Sequence, residues 1–136
     1  MIVVRRGDEV LVLHRSPAGD AYWHVVAGAV EEGESHAEAA ARELVEEIGL
    51  QVPLVDLERE YVYPLSQESA RSRARFAPGI EEVVVRCFTV EAPAGWEPTL
   101  NEEHDDYRWC WLDEAERLLF WPEPREVLRD LAEPHA

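Results

Sequence analysis

Apolar and polar positions alternate along the chain in short runs broken by turn residues. "MIVVRRGDEVLVLHR" places two apolar runs on either side of Arg6-Gly7-Asp8, which predicts a hairpin over residues 1–15. A loop, "SPAGDAYW", leads to a short strand, "WHVVAG", ending on Gly28. Ser35 and Glu38 then stand in the S-x-x-E spacing of a capping box, and Gly49 suits the left-handed residue after a helix, so a helix is predicted to about Ile48. Ala37, Ala40, Ala41, Leu44 and Ile48 would form its apolar face, with the glutamates along its exposed flank.

Beyond it, "LVDLEREYVYPL" and "IEEVVVRCFTVEA" read as strands separated by the polar loop "SQESARSRARFAPG". A second long loop, "PAGWEPTLNEEHDD", precedes a last strand, "YRWCWL", and two helices are predicted to start at Asp113 and Pro124. Strands, a glycine loop, a helix, more strands and then helices imply an α/β (α+β) fold with a mixed sheet covered on both faces. No repeat or linker divides residues 1–136, so one domain must assemble the whole site.

Composition narrows the function. The chain has 136 residues, 46% of them hydrophobic, with five tryptophans, enough for one sizeable core. Its net charge is −16, and all 13 basic residues are arginines. Such a surface repels a nucleic acid polymer; an anionic small molecule would need a local basic pocket, divalent cations, or both. Cys87 and Cys110 each lie in an apolar run, which favours buried thiols over a disulfide or zinc framework. The first residues lack the apolar core of a signal peptide, and no run reaches a membrane-spanning length, so a soluble cytoplasmic protein is expected.

"RELVEEIG" poses a chemical problem. Glu43, Glu46 and Glu47 stand at i, i+3 and i+4, within an arc of about 100° on a helix, with only Arg42 beside them. Like charges so placed destabilise a helix unless something neutralises them. Clustered carboxylate oxygens are what hard divalent cations prefer, so a metal is one candidate for the missing positive charge. A solvated helix face is the alternative.

The stretch "GAVEEGESHAEAAARELVEEIGL", residues 28–50, resembles the Nudix hydrolase signature: Gly, five residues, Glu, seven residues, then Arg-Glu-apolar-any-Glu-Glu-any-Gly-apolar. Gly28, Glu34, Arg42, Glu43, Leu44, Glu46, Glu47, Gly49 and Leu50 match every specified place. A chance match is on the order of one in a billion per start position at ordinary residue frequencies. The resemblance implies an α/β/α sandwich and a metal-dependent pyrophosphohydrolase that uses Mg²⁺, with Mn²⁺ as a substitute. It implies Glu43, Glu46 and Glu47 as metal ligands, a backbone carbonyl near Ala27 as another, and Arg42 paired with Glu34 to orient the site. Gly28 would let the loop come close to the substrate; Glu31 and Glu32 are read as surface residues.

"YWHVVAGAVEEGE", "RFAPG", "EEHDDYRW" and "WPEPREVL" look like the Nudix branch of dihydroneopterin triphosphate pyrophosphatases and related deoxynucleoside triphosphate pyrophosphohydrolases. That likeness implies a nucleoside or pterin triphosphate as substrate, cleaved to monophosphate and pyrophosphate, and adds Glu103 to the metal site. Arg15 and Arg75 are the candidate phosphate contacts, with Arg71 and Arg73 beside the latter, since arginine binds phosphate bidentately. Trp23 is a candidate base-stacking residue, with core packing the competing role. Two features depart from the branch: several residues usual ahead of the first strand are missing, so a sheet edge shortened or completed in a homodimer is one expectation, and "HVVAG" replaces a more polar stretch. Rival functions are cleavage of a dinucleoside polyphosphate or nucleotide sugar, and a non-catalytic nucleotide sensor on the same fold.

Overall fold

The computed structural model describes residues 1–16, 21–68, 70–74 and 76–132, the side chains of 71, 72 and 132 excepted. β1 (Ile2–Arg6) and β2 (Glu9–Arg15) form the expected hairpin, with Arg5 opposite Val10 and Arg6 opposite Glu9. Gly7 takes the turn at φ +60°. Successive strand residues point to opposite faces. Ile2, Val4, Leu11 and Leu13 therefore enter one buried cluster, and Met1, Val3, Val10 and Val12 enter another.

The first cluster is closed by α1 (His36–Ile48) through Ala40, Leu44 and Ile48. The second is closed by α3 (Leu112–Leu118) and α4 (Pro122–Ala132), with Ala115, Leu119, Val127 and Leu128 packed inward. The result is an α/β/α sandwich, as the order of elements implied.

The sheet is mixed. β1 runs parallel to β5 (Glu82–Glu91), which pairs antiparallel with β4 (Val55–Pro64). β2 pairs along its length with β6 (His104–Trp111), and its opposite edge is shared by β1 and then by β3 (Trp23–His24), where Leu13 faces His24. β1 thus lies inside the sheet, between β2 and β5. The first strand, where an edge shortened or completed in a homodimer was expected, is an interior strand.

Other boundaries moved for local reasons. The strand expected from Trp23 to Gly28 covers Trp23–His24, followed by an isolated bridge from Val26 to Ile2. The region after β4, expected as a loop, holds a 3₁₀ turn at Leu65–Gln67 and a short helix, α2 (Ala70–Arg73). β6 begins at His104, three residues before the expected Tyr107, because Asp106, Tyr107 and Arg108 continue the ladder with His14, Leu13 and Val12.

α1 begins as its sequence implies: Ser35 Oγ accepts from the Glu38 N–H at 3.1 Å, and Glu38 Oε1 accepts from the Ser35 N–H at 3.0 Å. It ends on Gly49 at φ +73°, with the Gly49 N–H donating to the Val45 carbonyl at 2.9 Å. Its buried face differs from expectation. Ala37 and Ala41 are exposed, Ala39 is buried, and Glu47 joins the interior.

Candidate metal and substrate site

Helical spacing spreads the three glutamates from interior to solvent rather than along one exposed flank. Glu47 is 1% exposed, Glu43 has 13% of its side chain exposed, and Glu46 has 54%. Glu47 is buried because its position lies next to Ile48 and three residues after Leu44, both of which face the sheet.

The loop after β5 brings further candidate ligands to it. α1 ends with carbonyls that need donors. Thr99 N–H donates to the Ile48 carbonyl at 3.0 Å, and Asn101 Nδ2 donates to the Glu46 carbonyl at 3.0 Å. Asn101 Oδ1 in turn accepts from the Glu103 N–H at 3.0 Å, and the Glu103 carbonyl accepts from the Ser16 N–H at 2.9 Å. The loop is thereby tied to the helix end, with Glu103 and His104 beside Glu47. Ligand atoms from Glu47, Glu103 and His104 lie within 4.8 Å of one another, and His104 Nε2 is 3.7 Å from Glu47 Oε1.

Electrostatics mark this cluster as short of positive charge. Burial pushes the Glu47 carboxyl well above the usual carboxylate range, helped by its hydrogen bond to Glu43 and the charges of Glu43 and Glu103, against the pull of Arg15. Burial also raises Glu43. His104 is held neutral, lowered to about 4 chiefly by burial and then by the charge of Arg15. Glu47 Oε2 is buried with no hydrogen-bond partner among the described residues. A neutral imidazole and oxygen ligands around an unpartnered buried carboxylate oxygen fit a divalent cation.

Arg42 changes part of the sequence reading. It pairs with Glu34 as expected, Nε to Oε2 at 2.8 Å and Nη2 to Oε1 at 3.1 Å. The same guanidinium also donates to Glu43 at 2.9 Å, to Glu46 at 3.1 Å and to the Ala29 carbonyl at 2.9 Å. The glutamates therefore do have protein counter-charges: among the described residues Arg42 bonds to Glu43 and Glu46, while Glu47 has the weaker pull of Arg15. Arg42 fastens the glycine loop to the helix as well as balancing charge.

Gly28 has a steric reason. A Cβ built there would fall 2.1–2.6 Å from the Glu43 carboxylate, so only glycine lets the loop lie against that acid. Gly28, Ala27, Glu43 and Glu103 line a cavity of about 400 Å³. Arg15 lines it too, with its Nε buried and without a hydrogen-bond partner among the described residues. Tyr22, Tyr61, Tyr63, Phe76, Phe88 and Trp121 supply its aromatic lining.

Of the remaining candidates, Trp23 does not line the cavity; it packs edge-on to His14 at 5.0 Å and under the Arg108 guanidinium at 4.9 Å. Tyr22, its neighbour, takes the cavity side instead. Arg75 lies outside the described residues, as does the side chain of Arg71, and Arg73 is exposed. Sequence reasoning missed His104 as a candidate ligand, although it adjoins Glu103, and missed His24. The aromatic lining comes from β4, β5 and the segments beside β3, α2 and α4, so no periodicity in the sequence could have gathered it.

A helix that carries R-E-x-x-E-E behind a glycine loop, set in an α/β/α sandwich over a cavity, defines the Nudix class of domain. The NUDIX domain family matches residues 1–131, and the chain belongs to that family. It is 32% identical over 116 residues to the dihydroneopterin triphosphate diphosphatase of Escherichia coli K12, across 80% of this chain and 74% of that protein. The solved structure of the E. coli dihydroneopterin triphosphate pyrophosphohydrolase superposes with a TM-score of 0.80 at 28% identity, covering 96% of this chain and 90% of that one. A stretch of an octanoyltransferase of Myxococcus xanthus is 39% identical over 122 residues, 88% of this chain. The chain spans only 32% of that longer protein.

Proposed function

We propose that the protein is a Mg²⁺-dependent pyrophosphohydrolase that cleaves a nucleoside or pterin triphosphate to the monophosphate and pyrophosphate. The observation that carries this reading is one cavity lined by carboxylates, Arg15 and aromatic side chains together. A planar ring suits the aromatic side chains, and an anhydride suits the charged groups. The likeness to the dihydroneopterin triphosphate enzyme of E. coli supports the same substrate class.

Glu43, Glu46, Glu47 and Glu103, with the Ala27 carbonyl and His104, are the residues that would hold the cation. A cation held there would supply charge to neutralise phosphate oxygens and to make water a better nucleophile. Arg42 keeps Glu43 and Glu46 in place and ties Glu34 to them. Arg15 supplies a guanidinium for the phosphates. Water forms the new bond to phosphorus as the bond to the bridging oxygen breaks, and we assign Glu103 to accept the water's proton because it reaches the cavity from a loop tied over the helix end. A cytoplasmic small-molecule enzyme fits this chemistry; among the described residues, no helix is long and apolar enough to cross a membrane.

The test is a screen of nucleoside, pterin and dinucleoside substrates with Mg²⁺, with products resolved by chromatography. Pyrophosphate plus monophosphate is the expected outcome. Orthophosphate release, or cleavage of dinucleoside polyphosphates or nucleotide sugars alone, would replace this reading with the rival reaction, and tight binding without turnover would make the protein a sensor.

A further inference from the structure

His24 lines the same cavity as the carboxylates, Arg15 and the aromatic side chains. It pairs with Leu13 in the β2–β3 ladder, while the Arg15 N–H donates to the Tyr22 carbonyl at 2.9 Å, so Arg15, Tyr22 and His24 project from neighbouring positions, and all three line the cavity. The His24 ring is 6.0 Å from the Tyr22 ring, and Tyr22 in turn lies 6.0 Å from Trp121. His24 also feels the positive charges of the amino terminus and of Arg15, whose guanidinium lies 5.7 Å from the Tyr22 ring.

Its Nδ1 is buried with no hydrogen-bond partner among the described residues. A buried orphan nitrogen is uncommon and costly, and it calls for an occupant that satisfies it. Burial first, and then nearby positive charges including Arg15, lower the imidazole to about 3, so it is neutral at physiological pH. A neutral ring beside a guanidinium is the weaker partner for phosphate, which goes to Arg15. What suits His24 is an uncharged hydrogen-bonding group lying between a ring and a phosphate.

We propose that His24 reads the hydroxyls of the carbon chain, ribose or polyol, that joins the substrate's heterocycle to its first phosphorus. This rests on the triphosphate reading above and makes His24 a specificity-determining residue that touches substrate away from the reacting phosphorus.

Two measurements on the full chain test it. The first compares kcat/KM for guanosine triphosphate and for its 2′,3′-dideoxy analogue with Mg²⁺, within each preparation so that the active fraction cancels. Wild type is expected to favour the hydroxylated substrate by about fivefold or more, in line with one hydrogen bond. His24→Phe should bring the ratio to within about twofold of one, and His24→Gln, which keeps a polar group, should retain part of the preference. A wild-type ratio of one, or a ratio that His24→Phe leaves unchanged, overturns the proposal while leaving the hydrolase reading intact. The second measures binding of guanosine monophosphate and the dideoxy monophosphate by calorimetry, with no turnover required. If no triphosphate is hydrolysed, the hydrolase reading fails, and this binding ratio decides about His24 alone: a preference lost in His24→Phe supports the contact, and equal affinities overturn it.

Discussion

α1 and the α3–α4 pair cover opposite faces of one sheet, using alternate residues of the same strands, yet they bury different chemistry. Beneath α3 and α4 the cluster is apolar: Val3, Val10, Val12, Ala115, Val127 and Leu128, with Cys87 and Cys110 as small hydrophobes whose thiols burial pushes up in pKa. Beneath and beside α1 the protein buries Glu47 and His104. An uncompensated carboxylate is among the most expensive groups to bury. The two faces divide the labour: one stabilises the sheet, and the other gives up stability to hold a charged site.

The strongest way to break that comparison is to neutralise the buried acid. Glu47→Gln preserves shape and should lower kcat by more than about 10²-fold, as loss of a central catalytic carboxylate does. It should also leave the metal-free protein at least as stable as wild type, because it removes a charge that burial disfavours. Thermal melts in chelator beside saturating-substrate kinetics read both effects. Wild-type turnover in the variant would remove Glu47 from the site.

Glu103→Gln should cost a comparable or smaller factor, about 10²–10⁴ if it takes the water's proton. A rate within about twofold of wild type under saturating metal and substrate would make it a surface residue, and the base would then be sought among Glu43, Glu46, Glu81 and Glu82. Raised KM with unchanged kcat would assign it to binding.

The other face should respond in the opposite way. Leu128→Ala empties space in a fully buried cluster and should cost about 2–5 kcal/mol of stability by denaturant titration. Its kcat per folded molecule should stay within about twofold. A large kcat loss at full folding would show that the two faces are coupled.

Gly28→Ala is a gentler probe of the α1 face. The added methyl meets the far end of the Glu43 side chain, which can swing aside, so the fold survives while the acid moves. A roughly tenfold loss in kcat/KM is expected, since small misplacements of a positioned group are costly, with little change in melting temperature. Unchanged activity would mean that Glu43 need not sit against Gly28.

Much of this contrast was legible in the chain before folding. The hairpin, the capped helix and the apolar β5 run are local patterns, and the R-E-x-x-E-E spacing fixed which acids share a helix. Which of them is buried was not legible, because it depends on how α1 is rotated over the sheet: Ala39 faces inward and Ala41 outward, which puts Glu47 inside. Arg42's reach to Glu43, Glu46 and Ala29 also required the loop's return path. The cavity's aromatic lining and the burial of His24 Nδ1 arise from contacts between segments far apart in sequence, where no spacing rule applies.

The smallest expected effect concerns acid stability, and it isolates His24 from the carboxylates around it. In the folded chain its imidazole is lowered to about 3, whereas an exposed histidine titrates near 6.5. Between those values the unfolded chain binds the proton and the folded chain does not, so this group's contribution is fully present above about pH 6.5 and is lost as pH falls. Glu43 and Glu47 act in the opposite sense, because their raised carboxyls favour the folded state on acidification. Glu34, Asp56 and Glu97, held low mainly by hydrogen bonds to Arg42, Arg86 and Trp109 respectively, lose stability when they protonate. The total pH profile therefore mixes signs, but the difference between wild type and His24→Phe cancels the terms they share. That difference should shrink wild type's advantage, or widen its deficit, steadily from pH 6.5 to 4.5. The slope has the single-site limit of about 1.4 kcal/mol per pH unit as its ceiling, because one imidazole takes up one proton. Parallel profiles for the two proteins over that range would mean that His24 takes up its proton in the fold as readily as in the unfolded chain.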